Sequence, residues 1–350
     1  MSSIDWKLSS YHFKLPESLI AQHPTPFRDQ SRMLFLDRSK GTVSHRKFSE
    51  IITLLPKNSC IVINNTRVNP VRLPGRRKTG AIIEALLVEE KDVAHWSAVL
   101  RKAGRIKQGE RLEFCGGAIC AVASERKHGG EWLLAFEEPE SLKERLEKFG
   151  LPPLPPYIKR NNASEIQNAE DRERYQTCFA SKPGAIAAPT AGLHFTPEIL
   201  DSISSRGVEI LEVTLHVGLG TFKPIEKEDI REHNMHSEYF SISSNTLSKL
   251  QSFKKSRRPI ICLGTTSVRV LETLAQNNFE NNSGWTDLFI YPPYNFSMVQ
   301  GLFTNFHLPK SSLLIMVSAF YGRKKLLEAY CAAVEEKYRF FSYGDCMLIL

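Results

Sequence analysis

Two hydrophobic patterns divide the chain into two kinds of segment. Between residues 81 and 137, short runs rich in alternating apolar residues predict β-strands, namely AIIEALLVEE, HWSAVLR, RLEF, AICAVASER and EWLLAFE. The glycine pairs Gly116-Gly117 and Gly129-Gly130 fit hairpin turns between these strands. Strands spaced so closely, with little helix between them, predict a small β-barrel or sandwich.

In the rest of the chain, strand-like and helix-like patterns alternate. Apolar runs predict strands at 32–38 and 60–66 and in the later segments VEILEVTLHV, IICLG and LFIY. Segments 312–320 and 325–338 have helical patterns. This alternation is typical of a layered α/β domain.

The order of the two patterns predicts a discontinuous organisation. A short helical segment at 141–148 and the proline-rich linker LPPLPPYIKR follow the β-rich region. Because strand patterns occur on both sides of that region, we expect one layered α/β/α domain of residues 1–70 and 151–350. The small β-barrel domain, residues 71–150, is then an insertion in it.

Composition indicates a globular protein with a basic surface. Hydrophobic residues make up 42% and charged residues 24% of the 350 residues, and the net charge is +8. Basic residues cluster at 76–78, 101–107, 254–258 and 323–325. These clusters either bind a phosphate backbone or form an ordinary solvated surface.

The cysteines and the N-terminus bear on the location of the protein. The seven cysteines include no C-x-x-C pair, which favours reduced thiols over disulfides or a zinc site. The first residues lack the apolar core of a signal peptide, and the longest apolar run, 313–317, is far shorter than a membrane span. We therefore expect a cytoplasmic protein that does not cross a membrane.

The segment GAIAAPTAGLHFT, residues 184–196, carries the strongest sign of a site. Residues 188–192 predict a tight loop, and Thr196 followed by Pro197 predicts the N-terminus of a helix. His194 is then close to that N-terminus, where the helix dipole favours an anion and lowers the pKa of an imidazole. His194 is either a functional group or a hydrogen-bonded structural histidine.

A second candidate site follows the predicted strand IICL. Residues 264–267, GTTS, connect this strand to a predicted helix and place hydroxyl and N–H groups at a strand end. Open α/β sheets bind ligands at such ends. Arg269 then either binds a carboxylate or phosphate through its forked guanidinium or lies on the surface.

Histidines and carboxylates gather in EHNMHSE, which contains Glu232, His233, His236 and Glu238. The histidine spacing is compatible with a helix, but no H-E-x-x-H pattern supports a metal site. Acid–base or substrate-orienting roles are therefore favoured. With His194, with His216 at a strand end and with His307 in TNFHLP, five of the ten histidines lie in or beside polar bends.

Long motifs follow one another in a fixed order along nearly the whole chain: LIAQHPTPFRDQSRMLFLDR, INNTRVNPVRLPG, LPPLPPYIKR, RYQTCFA, GAIAAPTAGLHFT, TLHVGLGTFKP, HNMHSE, GTTSVRVLE, TNFHLPKSSLL and YRFFSYGDCMLI. In this order they resemble the S-adenosylmethionine:tRNA ribosyltransferase-isomerase family of queuosine biosynthesis. Pro293 stands where the family usually has glycine, Gln300 where aspartate is common, and Lys102-Ala103 where proline and glycine are usual. At these positions the resemblance therefore implies neither the family's loop shape nor the role of an aspartate at position 300.

The resemblance implies both a fold and a reaction. The implied fold is an α/β domain interrupted by a β-barrel, as the hydrophobic patterns predict. In the implied reaction, the ribosyl part of S-adenosylmethionine moves to the aminomethyl group of 7-aminomethyl-7-deazaguanine at the wobble position of tRNA. The sugar is isomerised to give epoxyqueuosine, and adenine and methionine are released.

The proton transfers of this reaction suggest roles for individual residues. His194 and His216 would share the transfers near the sugar, with His233 or His236 assisting, because an imidazole titrates near the working pH. The expected substrate-binding residues are Thr265, Thr266 and Arg269 at the methionine carboxylate, Phe195 or Tyr175 at the sulfonium, Thr190 in the loop, Asn65, Thr66 and Arg67 at the sugar or a phosphate, Asn305 and His307 at the deazaguanine edge, and Asp345 at its exocyclic amine.

The resemblance also implies partners and leaves two other functions open. We expect the anticodon loop of tRNA as the partner, no metal, and no cofactor because S-adenosylmethionine is a consumed substrate. We also expect a monomer. An S-adenosylmethionine-dependent RNA methyltransferase would form S-adenosylhomocysteine instead of free adenine, and a non-catalytic RNA-binding protein would form no product.

Overall fold

The computed structural model describes residues 3–101, 104, 106–127, 130–160, 164–218, 220 and 224–350. Its strands are β1 (Arg32–Asp37), β2 (Thr42–Lys47), β3 (Cys60–Asn64), β4 (Thr66–Val68), β5 (Arg72–Arg77), β6 (Ile82–Glu90), β7 (His95–Arg101), β8 (Glu110–Phe114), β9 (Ile119–Arg126), β10 (Glu131–Phe136), β11 (Lys182–Ala185), β12 (Glu209–Leu215), β13 (Glu238–Ile242), β14 (Ile260–Leu263), β15 (Ser283–Thr286), β16 (Gly301–Asn305) and β17 (Cys346–Ile349). Its α-helices are α1 (Ile51–Leu54), α2 (Leu142–Phe149), α3 (Glu165–Arg174), α4 (Pro197–Ser205), α5 (Ser244–Lys255), α6 (Gly264–Gln276), α7 (Ser312–Tyr321) and α8 (Arg323–Glu335).

A nine-stranded mixed sheet forms the centre of the α/β part, in the order β15-β13-β12-β3-β14-β16-β17-β1-β2. The four strands β12, β3, β14 and β16 are mutually parallel. The central strands β3, β14 and β16 are buried along their whole length, as parallel strands covered on both faces should be. The outer strand β2 is mostly exposed and carries basic residues, which protect a sheet edge from further pairing.

Helices cover both faces of this sheet. Alternate residues of β3 face opposite sides, with Val62 in a core that contains residues of α5 to α8. Ile61 and Ile63 lie in a second core with residues of α1 and α4. The predicted α/β/α layering is therefore confirmed.

The β-rich region forms a closed antiparallel barrel in the order β10-β7-β6-β5-β8-β9. Alternate residues of β6, among them Ile83, Ala85 and Leu87, point into a core that Leu142 and Leu146 of α2 complete. The barrel strands extend from Arg72 to Phe136. The structure thus decides between a barrel and a sandwich, while the domain boundaries at 70/71 and 150/151 stay a prediction.

One local expectation is wrong. LFIY, residues 288–291, is irregular, and the strand of this region, β15, ends before it at Thr286. The carbonyl groups of Thr286 and Leu288 instead accept hydrogen bonds from Arg269. Gly116-Gly117 does form the turn between β8 and β9, with positive φ at both glycines. Gly129 of the other expected turn lies outside the described residues.

Among the described residues, no helix is long and apolar enough to cross a membrane.

Candidate active site

A cavity of about 220 Å³ lies where the parallel strands β14 and β16 end. Its walls come from distant parts of the chain: 187–191, 264–266, 288–290 and 304–313, with Tyr157, Tyr175, Val217, Pro224, Met235, Glu238, Arg269, Met316, Phe341 and Ser342. The carboxyl ends of parallel strands are the usual ligand site of such sheets. Seven predicted site residues meet here: Tyr175, Thr190, Thr265, Thr266, Arg269, Asn305 and His307.

The turn from β14 into α6 forms one wall. Gly264 has φ +83°, a backbone conformation that residues with a side chain rarely adopt, and α6 begins at this glycine. Thr265 and Thr266 therefore lie in the first turn, where backbone N–H groups have no partner within the helix. Asn64 donates a hydrogen bond to the Thr266 hydroxyl at 3.2 Å, which fixes that side chain.

Asn305, at the end of β16, offers an unused acceptor in the opposite wall. Its Nδ2 donates to the carbonyl of Phe341 at 2.9 Å and lies 3.3 Å from Nε2 of His194. Its Oδ1 is buried and makes no hydrogen bond to any described residue. A buried polar atom without a partner is costly in a folded protein, so a ligand donor is the natural partner for this oxygen.

His194 does not line the cavity, which corrects its expected role. Its ring lies behind Asn305 between Phe48 and Phe303, and its Nδ1 lies 2.8 Å from the Ser31 hydroxyl. Burial lowers the pKa of His194 to about 3. The predicted direction of the shift is correct, but burial causes it rather than the helix dipole, and the ring is neutral near pH 7.

Of the described histidines, His307 alone lines the cavity. Its Nε2 lies 2.9 Å from the Thr304 hydroxyl, and its backbone N–H donates to the Tyr330 hydroxyl at 3.0 Å. Its Nδ1 has no hydrogen-bond partner among the residues that the structure describes. Burial lowers the pKa of His307 to about 3, so the imidazole is neutral near pH 7.

Arg269 and Glu238 form a buried ion pair in the cavity wall. Arg269 also donates through Nε to Leu288 at 3.2 Å and through Nη2 to Thr286 at 2.9 Å. Glu238 accepts a further hydrogen bond from the Gly218 N–H at 2.9 Å. Because its guanidinium is already bound to protein groups, Arg269 orients Glu238, and the expectation of a free carboxylate clamp is corrected.

The HNMHSE segment is not helical, although its histidine spacing is compatible with a helix. A short 3-10 helix ends at Glu232, and the chain is irregular up to β13. His233 packs edge-on against Phe289 of the cavity wall, with ring centroids 5.0 Å apart, and burial lowers its pKa. His236 is exposed. No group of three or more potential metal ligands occurs within the described part of the chain.

Three predicted binding residues next to β3 lie outside the cavity. The amide of Asn65 donates to Glu212 at 2.9 Å and accepts from Thr214 at 2.7 Å, so both of its polar atoms bind the protein itself. The Thr66 hydroxyl lies 2.8 Å from Nδ1 of His216. Arg67 forms an ion pair at 2.9 Å with Glu147 of α2, which links the sheet region to the barrel.

Phe195, Asp345 and His216 also lie away from the cavity walls. Phe195 is fully buried in the core with Phe48 and Phe303. Asp345 accepts from the backbone N–H groups of Arg32 at 2.9 Å and Arg339 at 2.8 Å, and burial raises its pKa. Phe195 and Asp345 therefore stabilise the fold. His216 is half-buried and lies on one face of the sheet, whereas the β12 side chains that belong to the core lie on the opposite face.

Comparison with known proteins supplies the family. The sequence profile of the queuosine biosynthesis proteins matches residues 8–349. The chain belongs to the queuosine biosynthesis protein family. An S-adenosylmethionine:tRNA ribosyltransferase-isomerase of Acetivibrio thermocellus is 46% identical over 346 residues, covering 98% of this chain and 99% of that protein. A protein of the same name from Staphylococcus haemolyticus is also 46% identical, with the same coverage.

A solved structure supports the same conclusion. The crystal structure of S-adenosylmethionine tRNA ribosyltransferase from Thermotoga maritima is 34% identical to this chain, with a TM-score of 0.55. The match covers 97% of this chain and 100% of that chain. The resemblance that the motifs indicate is thus confirmed.

Several features of this family member escape sequence reasoning. Tyr157 and Ser342 line the cavity and share a hydrogen bond of 2.7 Å although they are 185 positions apart. The ion pair between Glu238 and Arg269 is not predicted either, although the sequence singles out each of the two residues. Neither arrangement has a local sequence signal, because each depends on tertiary contacts.

The basic clusters are partly neutralised. Four of their arginines form ion pairs: Arg77 with Glu110, Arg101 with Glu84, Arg258 with Glu209 and Arg323 with Asp5. Lys102 and Arg105 lie outside the described residues. A phosphate backbone would therefore meet the remaining lysines and arginines rather than whole clusters.

Proposed function

We propose that this protein transfers the ribosyl moiety of S-adenosylmethionine to 7-aminomethyl-7-deazaguanine at the wobble position of tRNA and isomerises it to epoxyqueuosine. Adenine and methionine are the other products. The observation that carries the proposal is the convergence of four distant family motifs on one cavity: GAIAAPTAGLHFT, HNMHSE, GTTSVRVLE and TNFHLPKSSLL. A reaction that joins two substrates needs such a shared cavity.

Charged and polar groups of the cavity suit the amino-acid end of S-adenosylmethionine. The N-terminus of α6, with Thr265, is the proposed site of the methionine carboxylate, because its backbone N–H groups favour an anion. The buried ion pair of Glu238 and Arg269 gives the same cavity a polar wall in which the two charges balance. Tyr175 supplies an aromatic ring for the sulfonium.

Asn305 and His307 are the proposed contacts of the deazaguanine and its attacking amine. Oδ1 of Asn305 is an acceptor for an exocyclic amine or ring N–H. The neutral imidazole of His307 accepts a hydrogen bond from the aminomethyl group, which must be unprotonated to attack the sugar. His307 therefore replaces His194 and His216 as the proposed histidine at the reacting groups, in the role of a hydrogen-bond acceptor, with His194 as a positioning residue behind Asn305.

The proposed partner is the anticodon loop of tRNA, and the proposed state is a cytoplasmic monomer that uses no cofactor. A wobble base in an unpaired loop leaves the stack at a cost of a few kcal/mol, so it can enter a closed site. S-adenosylmethionine is consumed for its ribose and is therefore a substrate.

Product analysis tests this function. Purified protein is incubated with S-adenosylmethionine and tRNA that carries the deazaguanine, and the small products are separated by chromatography. We expect adenine and methionine in equal amounts, and roughly 10- to 100-fold slower release by His307→Ala, because the attacking amine loses its hydrogen-bond acceptor. Formation of S-adenosylhomocysteine would instead indicate a methyltransferase, and tRNA binding without any product would indicate a non-catalytic RNA-binding protein.

A further inference from the structure

Three aromatic side chains form a row across one end of the sheet. The backbone N–H of His216, directly after β12, donates to the Tyr239 carbonyl at 3.0 Å, and Tyr239 of β13 is the cross-strand partner of Trp285 of β15. His216 and Tyr239 are nearly parallel, with ring centroids 6.3 Å apart and planes 18° apart. Tyr239 and Trp285 meet edge-on at 5.7 Å. We call these three residues the aromatic row.

The row is accessible at the edge of the sheet. Trp285 is 68% exposed, and β15 is an outermost strand. Burying a tryptophan side chain is strongly favourable, so a tryptophan left this exposed is available to a partner.

The neighbouring positions favour an occupant with flat rings over a protein surface. The next row on the same face consists of Thr214, Ser241 and Ser283, which pair across the same three strands. The Thr214 hydroxyl donates to Asn65, while Ser241 and Ser283 are more exposed. Within the described residues, these two rows contain no aliphatic cluster of the kind that forms the centre of a protein interface. Aromatic rings flanked by hydrogen-bonding groups suit unstacked nucleic-acid bases.

The first ring of the row is held in place. Nδ1 of His216 lies 2.8 Å from the Thr66 hydroxyl. On its other side, Gly184 approaches so closely that an added Cβ would lie 2.7 Å from the imidazole. A ring fixed in this way loses little side-chain entropy when a ligand stacks on it.

The row is adjacent to the cavity along both strands. Val217 and Glu238, each next in sequence to a residue of the row, line the cavity. Because side chains alternate along a strand, they point to the opposite face of the sheet from the row. Lys182 of β11, two residues before Gly184, is exposed and forms no ion pair within the described residues. A chain that places one base in the cavity therefore passes aromatic rings and a positive charge when it leaves around the sheet edge.

We propose that the aromatic row stacks unpaired anticodon-loop bases next to the nucleotide that enters the cavity, with Lys182 at a neighbouring phosphate. The proposal rests on the proposed function for the identity of the RNA. The alternative occupant, a second copy of this chain that pairs with the β15 edge, is an outcome of the test.

The primary test compares Trp285→Ala, Trp285→Phe and wild-type protein for binding to an anticodon stem-loop RNA. Trp285→Ala should bind roughly 5- to 100-fold more weakly, because one stacking platform is lost. Trp285→Phe should stay within about 3-fold of wild type because it keeps a stacking ring. Phe27→Ala removes an aromatic ring of similar exposure, 64%, outside the row and should bind like wild type.

Two further readouts separate RNA stacking from a structural role. Trp285→Ala should raise KM for the RNA while adenine release at saturating RNA changes less than about 3-fold. Lys182→Gln should lower the magnitude of the log–log salt slope of RNA affinity by about 0.7, as expected for one lost phosphate contact.

The outcomes distinguish failure of the row from failure of the proposed function. Equal RNA affinity of Trp285→Ala and wild type would overturn the row, whether or not adenine is released. Self-association that weakens in Trp285→Ala, with RNA affinity unchanged, would assign the edge to a second copy and would also overturn it. RNA binding that depends on Trp285 without adenine release would support the row and contradict the proposed function.

Discussion

At the residue scale, the tertiary surroundings decide which of the predicted histidines reach the cavity. The sequence places five histidines at polar bends, but only their tertiary surroundings fix their pKa values. His194 and His307 are buried and neutral, while His236 is exposed. The residue types of the site were thus predictable from bends and motifs. Which of these residues line the cavity, and which lie behind it and hold the others in place, was not predictable.

The depressed pKa of His194 predicts how stability depends on pH. The folded protein holds this ring neutral, while the unfolded chain protonates it below about pH 6.5, so stability is lost as the pH falls from 6.5 towards about 3. Urea unfolding between pH 4 and pH 7.5 measures the effect. Replacing the ring in His194→Gln should reduce the slope by about 1.4 kcal/mol per pH unit below pH 6. An unchanged slope would contradict a neutral buried imidazole.

The unpaired Oδ1 of Asn305 predicts a loss of substrate recognition. Asn305→Ala should lower kcat/KM for adenine release about 10- to 100-fold, because a buried hydrogen bond to the deazaguanine is lost. Asn65→Ala is the matched control, since both polar atoms of that amide bind the protein itself. It should lower the free energy of unfolding and leave kcat/KM of the folded enzyme nearly unchanged. The same kinetic loss in both variants would argue against a specific contact by Asn305.

At the scale of helices and strands, sequence signals that depend only on neighbouring residues predicted the structure correctly. Thr196 and Pro197 begin α4 as predicted, and the Thr196 hydroxyl accepts from the Ile199 N–H at 3.3 Å. Residues 288–291, which were expected to form a strand, are irregular in the structure. Apolar residues such as Leu288 and Ile290 line or support the cavity there, and a short apolar run does not distinguish that use from a strand.

The Thr196 cap gives a direct test of this local reasoning. Thr196→Ala removes the acceptor for the Ile199 N–H, so the free energy of unfolding should fall by about 1 kcal/mol. Chemical denaturation measures this change. Thr196→Ser keeps the hydroxyl and should retain most of the stability. Equal stability of Thr196→Ala and wild type would show that α4 does not depend on the cap.

At the scale of the whole molecule, the chain passes between sheet and barrel at two adjacent points. Arg72 and Leu151 exchange backbone hydrogen bonds of 2.9 Å, so the entry into the barrel region is paired with the exit from it. The change in hydrophobic pattern along the chain predicted that a barrel is inserted in the α/β domain. The strand order of the nine-stranded sheet and the meeting of four motifs at one cavity depend on nonlocal pairing, which single-sequence patterns do not specify.

Gly150 at this crossing is predicted to be intolerant of a side chain. A Cβ there would lie 1.9 Å from the Pro70 carbonyl oxygen and 2.7 Å from that of Leu146, and these backbone atoms have little room to move. Gly150→Ala should therefore lower the free energy of unfolding by about 3 kcal/mol. Gly218→Ala, whose Cβ would meet no described atom within 4 Å, is the control and should change it by less than about 0.5 kcal/mol. Similar stability of both variants would contradict the tight crossing.

The fate of the S-adenosylmethionine carbons tests the central claim most directly. Wild-type protein is incubated with tRNA carrying the deazaguanine and with S-adenosylmethionine labelled in either the ribose or the methyl group. The proposed function predicts that ribose label enters the tRNA in an amount equal to the adenine released, while the methyl label leaves with methionine. Methyl label in the tRNA, or adenine release without ribose label in the tRNA, would contradict it.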